Sequence, residues 1–534
     1  MKKNTLRILS FITAAAMLTG CSSGAKSADA ADGLNYFAAT ESIQYAPTDD
    51  AVGQAENFNS IPEVDYNTEE YNSIKENSYM SSISNPLSTF SIDVDTASYT
   101  NLRRMINRGY AKEDIPKDSI RIEEMINYFS YDYPTPQNGD PFAVTTEVTD
   151  CPWNKDTKLM KIGIKAAQMD LTERAPMNLV FLIDVSGSMY SEDKLPLVQK
   201  AFTMLTENLD AKDRVSIVTY AGEDRVVLKG ADGNEKEKII KAINSLEAGG
   251  STAGAKGINT AYKLAEKYFI SGGNNRIILA TDGDLNVGVS SESGLTELVE
   301  KKRESGVFLS VLGFGTGNIK DNKMEALADN GNGNYSYIDS PKEAKRVLVN
   351  EMGGTLFTVA KDVKIQVEFN PAYVKGYRLI GYENRMMAAE DFDDDTKDAG
   401  EIGAGHTVTA LYEVVMNDSE MDFSTSDLKY GENTGVENGE MVTVSVRYKE
   451  PDGDESKLLT FPVSVDSYSP EMSDDLIFAA AVAQFGLVFR DSEYKGTATY
   501  DSILNTLEGN YNSYSSDEYK VEFIELVRNA SELR

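Results

Sequence analysis

Residues 178–190 read Asn-Leu-Val-Phe-Leu-Ile-Asp-Val-Ser-Gly-Ser-Met-Tyr, and the fold class turns on how this stretch divides. Leu179 to Ile183 is an unbroken apolar run of strand length, which implies a strand covered on both faces in a parallel sheet. Asp184-Val185-Ser186-Gly187-Ser188 then puts three oxygen-bearing side chains at alternate positions of one turn, with Gly187 letting the backbone fold between the two hydroxyls. In an open parallel sheet, ligands bind at the carboxyl ends of strands, so chemistry is expected on this turn. One carboxylate beside neutral hydroxyls suits a hard cation that keeps some of its waters, magnesium above all.

Outward from this turn, apolar runs alternate with amphipathic ones from Lys158 to Gly354. Strands are predicted over residues 178–183, 214–220, 225–228, 276–280, 308–313 and 334–338. Helices fill the gaps, with one-sided stripes at Leu195, Val198, Phe202, Leu205 and Leu209, and at Ile258, Ala261, Ala265 and Tyr268. The pattern predicts an α/β domain over 158–354, a doubly wound and mostly parallel sheet. Two further pieces fall where its loops should converge. Gly249-Gly250-Ser251-Thr252-Ala253-Gly254 leads into a helix, and the strand 276–280 ends in Thr281-Asp282-Gly283.

The combination Asp-x-Ser-x-Ser, Gly-Gly-x-Thr and strand-terminal Thr-Asp-Gly resembles the metal-ion-dependent adhesion site of von Willebrand factor A domains. The resemblance implies that Ser186, Ser188 and Thr252 bind a divalent ion (Mg2+, or Mn2+ or Ca2+) directly or through water, and that Asp184 and Asp282 hold its waters. It also implies an open coordination position that takes a carboxylate from a protein partner. Phe90-Ser-Ile-Asp-Val-Asp-Thr-Ala-Ser-Tyr99, Arg121-Ile-Glu-Glu-Met-Ile-Asn-Tyr-Phe129 and Gly405-His-Thr-Val-Thr-Ala-Leu-Tyr-Glu413 extend the likeness to bacterial lipoproteins of the YfbK-like family.

The flanks read differently. Lys2, Lys3 and Arg7 precede a mostly apolar stretch from Ile8 to Leu18, the form of an export signal over residues 1–20. Leu18-Thr-Gly-Cys21 resembles a lipobox, so Cys21 is expected to carry the acyl chains (palmitate among them) that anchor the protein on the exported face of the cell membrane. Residues 21–82 are expected to be a disordered acidic and polar tether. Residues 83–157 form a small α+β segment with a strand at 89–95 and helices at 97–107 and 120–128. Beyond 355, alternating runs at 363–369, 408–415 and 441–448 precede helices at 474–489 and 519–533, and a separate α+β domain is expected over 355–534. Asp391-Phe-Asp-Asp-Asp-Thr-Lys-Asp398 fails the calcium-loop pattern, with Thr396 at the turn glycine and Ile402 at the bidentate glutamate, and reads as a solvated acidic loop.

Composition narrows the function. Fifty-two basic against 85 acidic side chains give a formal charge of -33, which repels nucleic acid. After Cys21 only Cys151 remains, so no intrachain disulfide can form, and Cys151 reads as a small, semi-buried thiol. The single histidine, His406, removes multi-histidine zinc sites and reads as a residue opening a strand. The leading expectation is therefore a non-enzymatic, lipid-anchored envelope protein that uses a bound cation to recognise an acidic group on an envelope or surface protein. One alternative is a metal-assisted phosphohydrolase. Asp93-Val-Asp95 resembles the two-carboxylate start of haloacid-dehalogenase phosphatases, but Ala97 stands where Thr or Val belongs, and neither site shows a histidine or lysine partner in sequence. The other alternative is a structural ion that ties loops together while the flanking domains do the recognition.

Overall fold

The computed structural model describes residues 67–137, 139–170, 172–250, 254–283, 292–423, 434–451 and 453–533. The chain divides into two units, residues 1–63 and 64–534, and all described residues belong to the second. The export signal, Cys21, most of the expected tether, and Thr252 lie outside the described residues.

The central sheet has six strands among the described residues, in the order Tyr335–Ile338, Phe308–Phe314, Asn274–Thr281, Met177–Asp184, Arg214–Tyr220, Asp224–Asp232. The first five are mutually parallel. The last pairs antiparallel with its neighbour, because only Ala221, Gly222 and Glu223 separate the two strands and no crossover fits in three residues. Leu179, Phe181 and Ile183 pack on one face with Val198, Phe202 and Leu205 of the helix Leu195–Glu207. Val180 and Leu182 pack on the other with Ile258, Ala261 and Ala265 of the helix Gly254–Lys267. Phe181 and Phe202 stack with ring centroids 4.2 Å apart. Each such side chain contributes about 1.5–3 kcal/mol on burial, so the apolar run at 179–183 anchors both layers.

The flanking segments depart from the expected division. Lys158–Ala166, placed in the central α/β domain by its sequence, is a strand between Phe142–Asp150 and Thr407–Met416, in a five-stranded antiparallel sheet completed by Val374–Ile380 and Met80–Ser81. The central α/β domain therefore begins near Met177. A second antiparallel sheet joins Leu87–Ser91 from the N-terminal flank to Thr358–Phe369, Glu440–Lys449 and Ser456–Ser464 from the C-terminal one. The inner faces of the two sheets share one core, with Phe90, Ile162 and Val408 among its residues.

The helices intermix in the same way. Ala97–Asn107 and Ile122–Asn127 share a core with Asp474–Phe489, Tyr500–Gly509 and Glu518–Glu532. Asp474–Phe489 is buried along almost its whole length, so it needs neighbours on every side, and the N-terminal flank supplies Ile122 and Met125. Residues 83–157 and 355–534 are thus two halves of one flanking module, not separate domains.

Residues 67–82, expected as tether, are also seated on the body. Thr68 and Glu70 donate backbone hydrogen bonds to Gly317 and Ile319, and Met80–Ser81 pairs with Val374–Ile380.

Candidate metal centre

The Met177–Asp184 strand lies in the interior of the central sheet, and its two neighbours connect in opposite directions in sequence. Its carboxyl end is a switch point, where loops part and leave a crevice. Asp184, the last residue of the strand, is fully buried. Its Oδ1 accepts a hydrogen bond from the Ser186 amide at 2.9 Å, and its Oδ2 accepts one from the Thr281 hydroxyl at 3.3 Å. Burial pushes the Asp184 carboxyl up to about 6, against the bonds from Ser186 that favour its charged form.

Ser186 begins the short 3-10 turn Gly187–Tyr190. The Ser186 and Ser188 hydroxyl oxygens are 3.0 Å apart, with Ser186 buried and Ser188 exposed. The next loop is tied to this turn by its backbone: Gly187 N donates to Gly250 O at 3.0 Å, and Gly249 N donates to Val185 O at 2.8 Å. That holds Gly249 and Gly250 against the turn after Asp184, although Thr252 itself is outside the described residues. Asp282 follows the adjacent strand Asn274–Thr281 and is buried. Gly283, at φ +97°, has no room for a side chain, since a Cβ would lie 2.5 Å from Lys320 N, and this keeps the Asp282 loop tight against residues 318–320.

Four of the five expected site residues, Asp184, Ser186, Ser188 and Asp282, therefore sit at the carboxyl ends of two neighbouring strands. A divalent ion fits their chemistry. Two neighbouring ligands of an octahedral magnesium, each at about 2.1 Å, are about 3.0 Å apart, and the two serine hydroxyls already have this separation.

Two neighbours of the site carry no signal in the sequence. Tyr220 is fully buried at the end of the adjacent strand, where burial and then the Asp184 charge hold its phenol well above the ordinary tyrosine range. Lys194 Nζ donates to Asp282 Oδ2 at 2.9 Å. The expectation that the site has no lysine partner is thereby corrected: Lys194 is ten residues after Asp184 in sequence, on no shared periodicity, and only the turn before the helix Leu195–Glu207 brings it back.

The other residues singled out in the sequence have structural roles. Asp93 and Asp95 are buried and pair with Arg385, and Asp95 Oδ1 also accepts from Tyr335 N at 2.8 Å. His406 directly precedes the strand Thr407–Met416, and burial pushes its imidazole down to about 4. The Asp391–Asp398 loop is met by Lys364, Arg447 and Lys449, more firmly than a freely solvated loop would be.

Comparison with known proteins identifies the family of the chain. Residues 178–349 match the family profile "von Willebrand factor type A domain", residues 65–161 match "von Willebrand factor", and residues 354–533 match "Uncharacterized protein YfbK, C-terminal". The chain is 42% identical over 471 residues to a protein described as "Uncharacterized protein YfbK" from Escherichia coli (strain K12), covering 86% of this chain and 80% of that one. It is 26% identical over 313 residues to "Uncharacterized protein sll0103" from Synechocystis sp., covering 57% of this chain and 69% of that one. Among solved structures, a von Willebrand factor type A protein from Catenulispora acidiphila aligns at 15% identity with a TM-score of 0.38, over 67% of this chain and 81% of that one. With an A domain at its centre and a relative of 42% identity along most of its length, the chain belongs to the YfbK family of von Willebrand factor type A domain proteins.

Proposed function

We propose that this protein is a non-enzymatic recognition protein of the bacterial cell envelope, lipid-anchored through Cys21, which captures an acidic group of a protein partner through a divalent cation. Asp184, Ser186, Ser188, Thr252 and Asp282 would hold the ion, Mg2+ first and Mn2+ or Ca2+ as alternatives. The observation that carries this proposal is the 3.0 Å separation of the Ser186 and Ser188 oxygens beside the buried Asp184 carboxylate. With the aspartates acting through water, this set leaves an octahedral ion room for a ligand from outside, and the exposure of Ser188 supports access by a partner's side chain. The anchor rests on Leu18-Thr-Gly-Cys21 after the basic and apolar N-terminal run.

The test is a pull-down from envelope extract with residues 22–534, in magnesium, in chelator, and with Ser188→Ala in magnesium. One partner retained only by the wild-type chain in magnesium is the expected result. A partner held equally in all three conditions would overturn cation-mediated capture. If metal removal lowers the melting temperature sharply and leaves capture intact, the ion is structural and the flanking module does the recognition.

A further inference from the structure

Lys194 is built into the candidate metal centre, not placed at its edge. Its side chain is one-tenth exposed, and its ammonium donates to Asp282 Oδ2 at 2.9 Å. The slot that holds it is made by a missing side chain. Gly315, at φ +76°, lies so close that a Cβ there would stand 2.3 Å from Lys194 Cε and 2.4 Å from Cγ. The backbone at Lys194 is also held, since its amide donates to Ser191 O at 3.0 Å and its carbonyl accepts from Val198 N at 2.9 Å.

From this we infer that Lys194 competes with the divalent ion for Asp282 and so sets the affinity of the site. The inference rests on the metal reading above. An ion held by Asp282, directly or through one water, lies within about 2–5 Å of the carboxylate, which is also where the ammonium sits. Two cations sharing one buried carboxylate repel strongly because little water screens them. Either the ammonium swings out as the ion enters, or the ion binds against its charge, and both weaken binding. A monovalent ion brings Asp282 no more charge than the ammonium it would displace, so the arrangement favours divalent over monovalent cations.

The experiment is Mn2+ titration of the full chain, purified in detergent, with free Mn2+ read by its paramagnetic resonance signal. Lys194→Met keeps an unbranched stem in the slot and removes the charge, and is expected to bind Mn2+ at least tenfold more tightly than wild type. Lys194→Arg restores the charge and is expected to return affinity to within threefold of wild type, which a purely structural role of the stem would not produce. If Lys194→Met melts without a cooperative transition, Lys194→Gln takes its place with the same expected direction. A charge-free variant that folds and binds Mn2+ no more tightly than a wild-type chain that does bind would overturn the inference alone. If neither the wild type nor the charge-free variant binds Mn2+, both the inference and the metal reading fall.

Discussion

Arg103 and Asp339 form a two-point ion pair across the junction between the flanking module and the A domain, with Nε 2.8 Å from Oδ2 and Nη2 2.6 Å from Oδ1. The same guanidinium reaches Glu343 at 2.9 Å, the Tyr128 hydroxyl at 2.8 Å and Glu522 at 2.9 Å. One side chain on Ala97–Asn107 thus joins the end of the central sheet to the helix Glu518–Glu532. Arg103→Met leaves Asp339 and Glu343 buried with fewer counter-charges, and removing one partner from a buried pair costs about 3–5 kcal/mol. A loss of that size is expected in urea unfolding, followed by both tryptophan emission and circular dichroism. A loss below about 1 kcal/mol would mean that packing, not the ion cluster, holds the two parts together.

A second buried cluster is expected to make stability depend on pH. Glu124 and Glu325 face Arg121, and the same region holds Asp93, Asp95, Asp321, Asp329 and Arg385. Burial pushes the carboxyl of Glu124 up to about 7 and that of Glu325 up to about 8, from 4.5, with Arg121 opposing the shift in both. A carboxyl raised on folding binds more protons in the native state than in the unfolded one, so its contribution falls as pH rises from 4.5 through 7 to 8. Stability is expected to be greater at pH 5.5 than at pH 8.5 by about 2 kcal/mol or more, and Glu325→Gln should flatten the profile. Calorimetric melts across that range check it. A profile that rises toward pH 8.5 would refute it.

The A domain was legible in the sequence because its signals are local. The apolar run 179–183 and the stripe at Leu195, Val198 and Phe202 each declare an element within a few residues, and the observed strands and helices follow them closely. The placement of Asp184, Ser186 and Ser188 at the end of that strand and on the turn after it was readable for the same reason. The flanking module was not, because its sheets pair strands hundreds of residues apart: Phe90 faces Ile365, and Lys161 faces Leu411. Alternation marks each strand, but nothing in it names the partner. Lys194 escaped notice because a charged residue before a helix reads as solvent-exposed, and only the absent side chain of Gly315 makes room for it.

Cys151 gives a probe of the composite module. Its thiol is buried, with Sγ donating to Glu413 Oε1 at 3.8 Å, and burial with the Glu413 charge pushes it up to about 12. At pH 8 the thiolate is scarce and out of reach of reagent. In residues 22–534, where it is the single cysteine, its reaction with an aromatic disulfide should be at least about a hundredfold slower than in the urea-unfolded chain. Reaction at the unfolded rate in native buffer would mean that the module opens around Trp153 and Glu413.

Glu69 clips the start of the described chain onto the loop behind the candidate metal centre. Its carboxylate takes two hydrogen bonds from Arg104, each 3.0 Å, and one from Gly317 N at 2.9 Å. On either side, Thr68 N donates to Gly317 O at 2.9 Å, Glu70 N to Ile319 O at 2.9 Å, and Asp321 N to Glu70 O at 3.1 Å. This backbone ladder holds residues 317–321, and Lys320 in turn abuts Gly283 beside Asp282. Glu69→Ala removes a buried acceptor and leaves Arg104 without its counter-charge, which is expected to cost about 2–4 kcal/mol. The loss should be local first, because the ladder is exposed on one side and the strand Met177–Asp184 keeps its own partners. Hydrogen exchange in Glu69→Ala is therefore expected to rise in residues 315–321 well before it rises in 179–183. Equal acceleration in both segments would show that the clip stabilises the whole molecule and not the loop that borders the site.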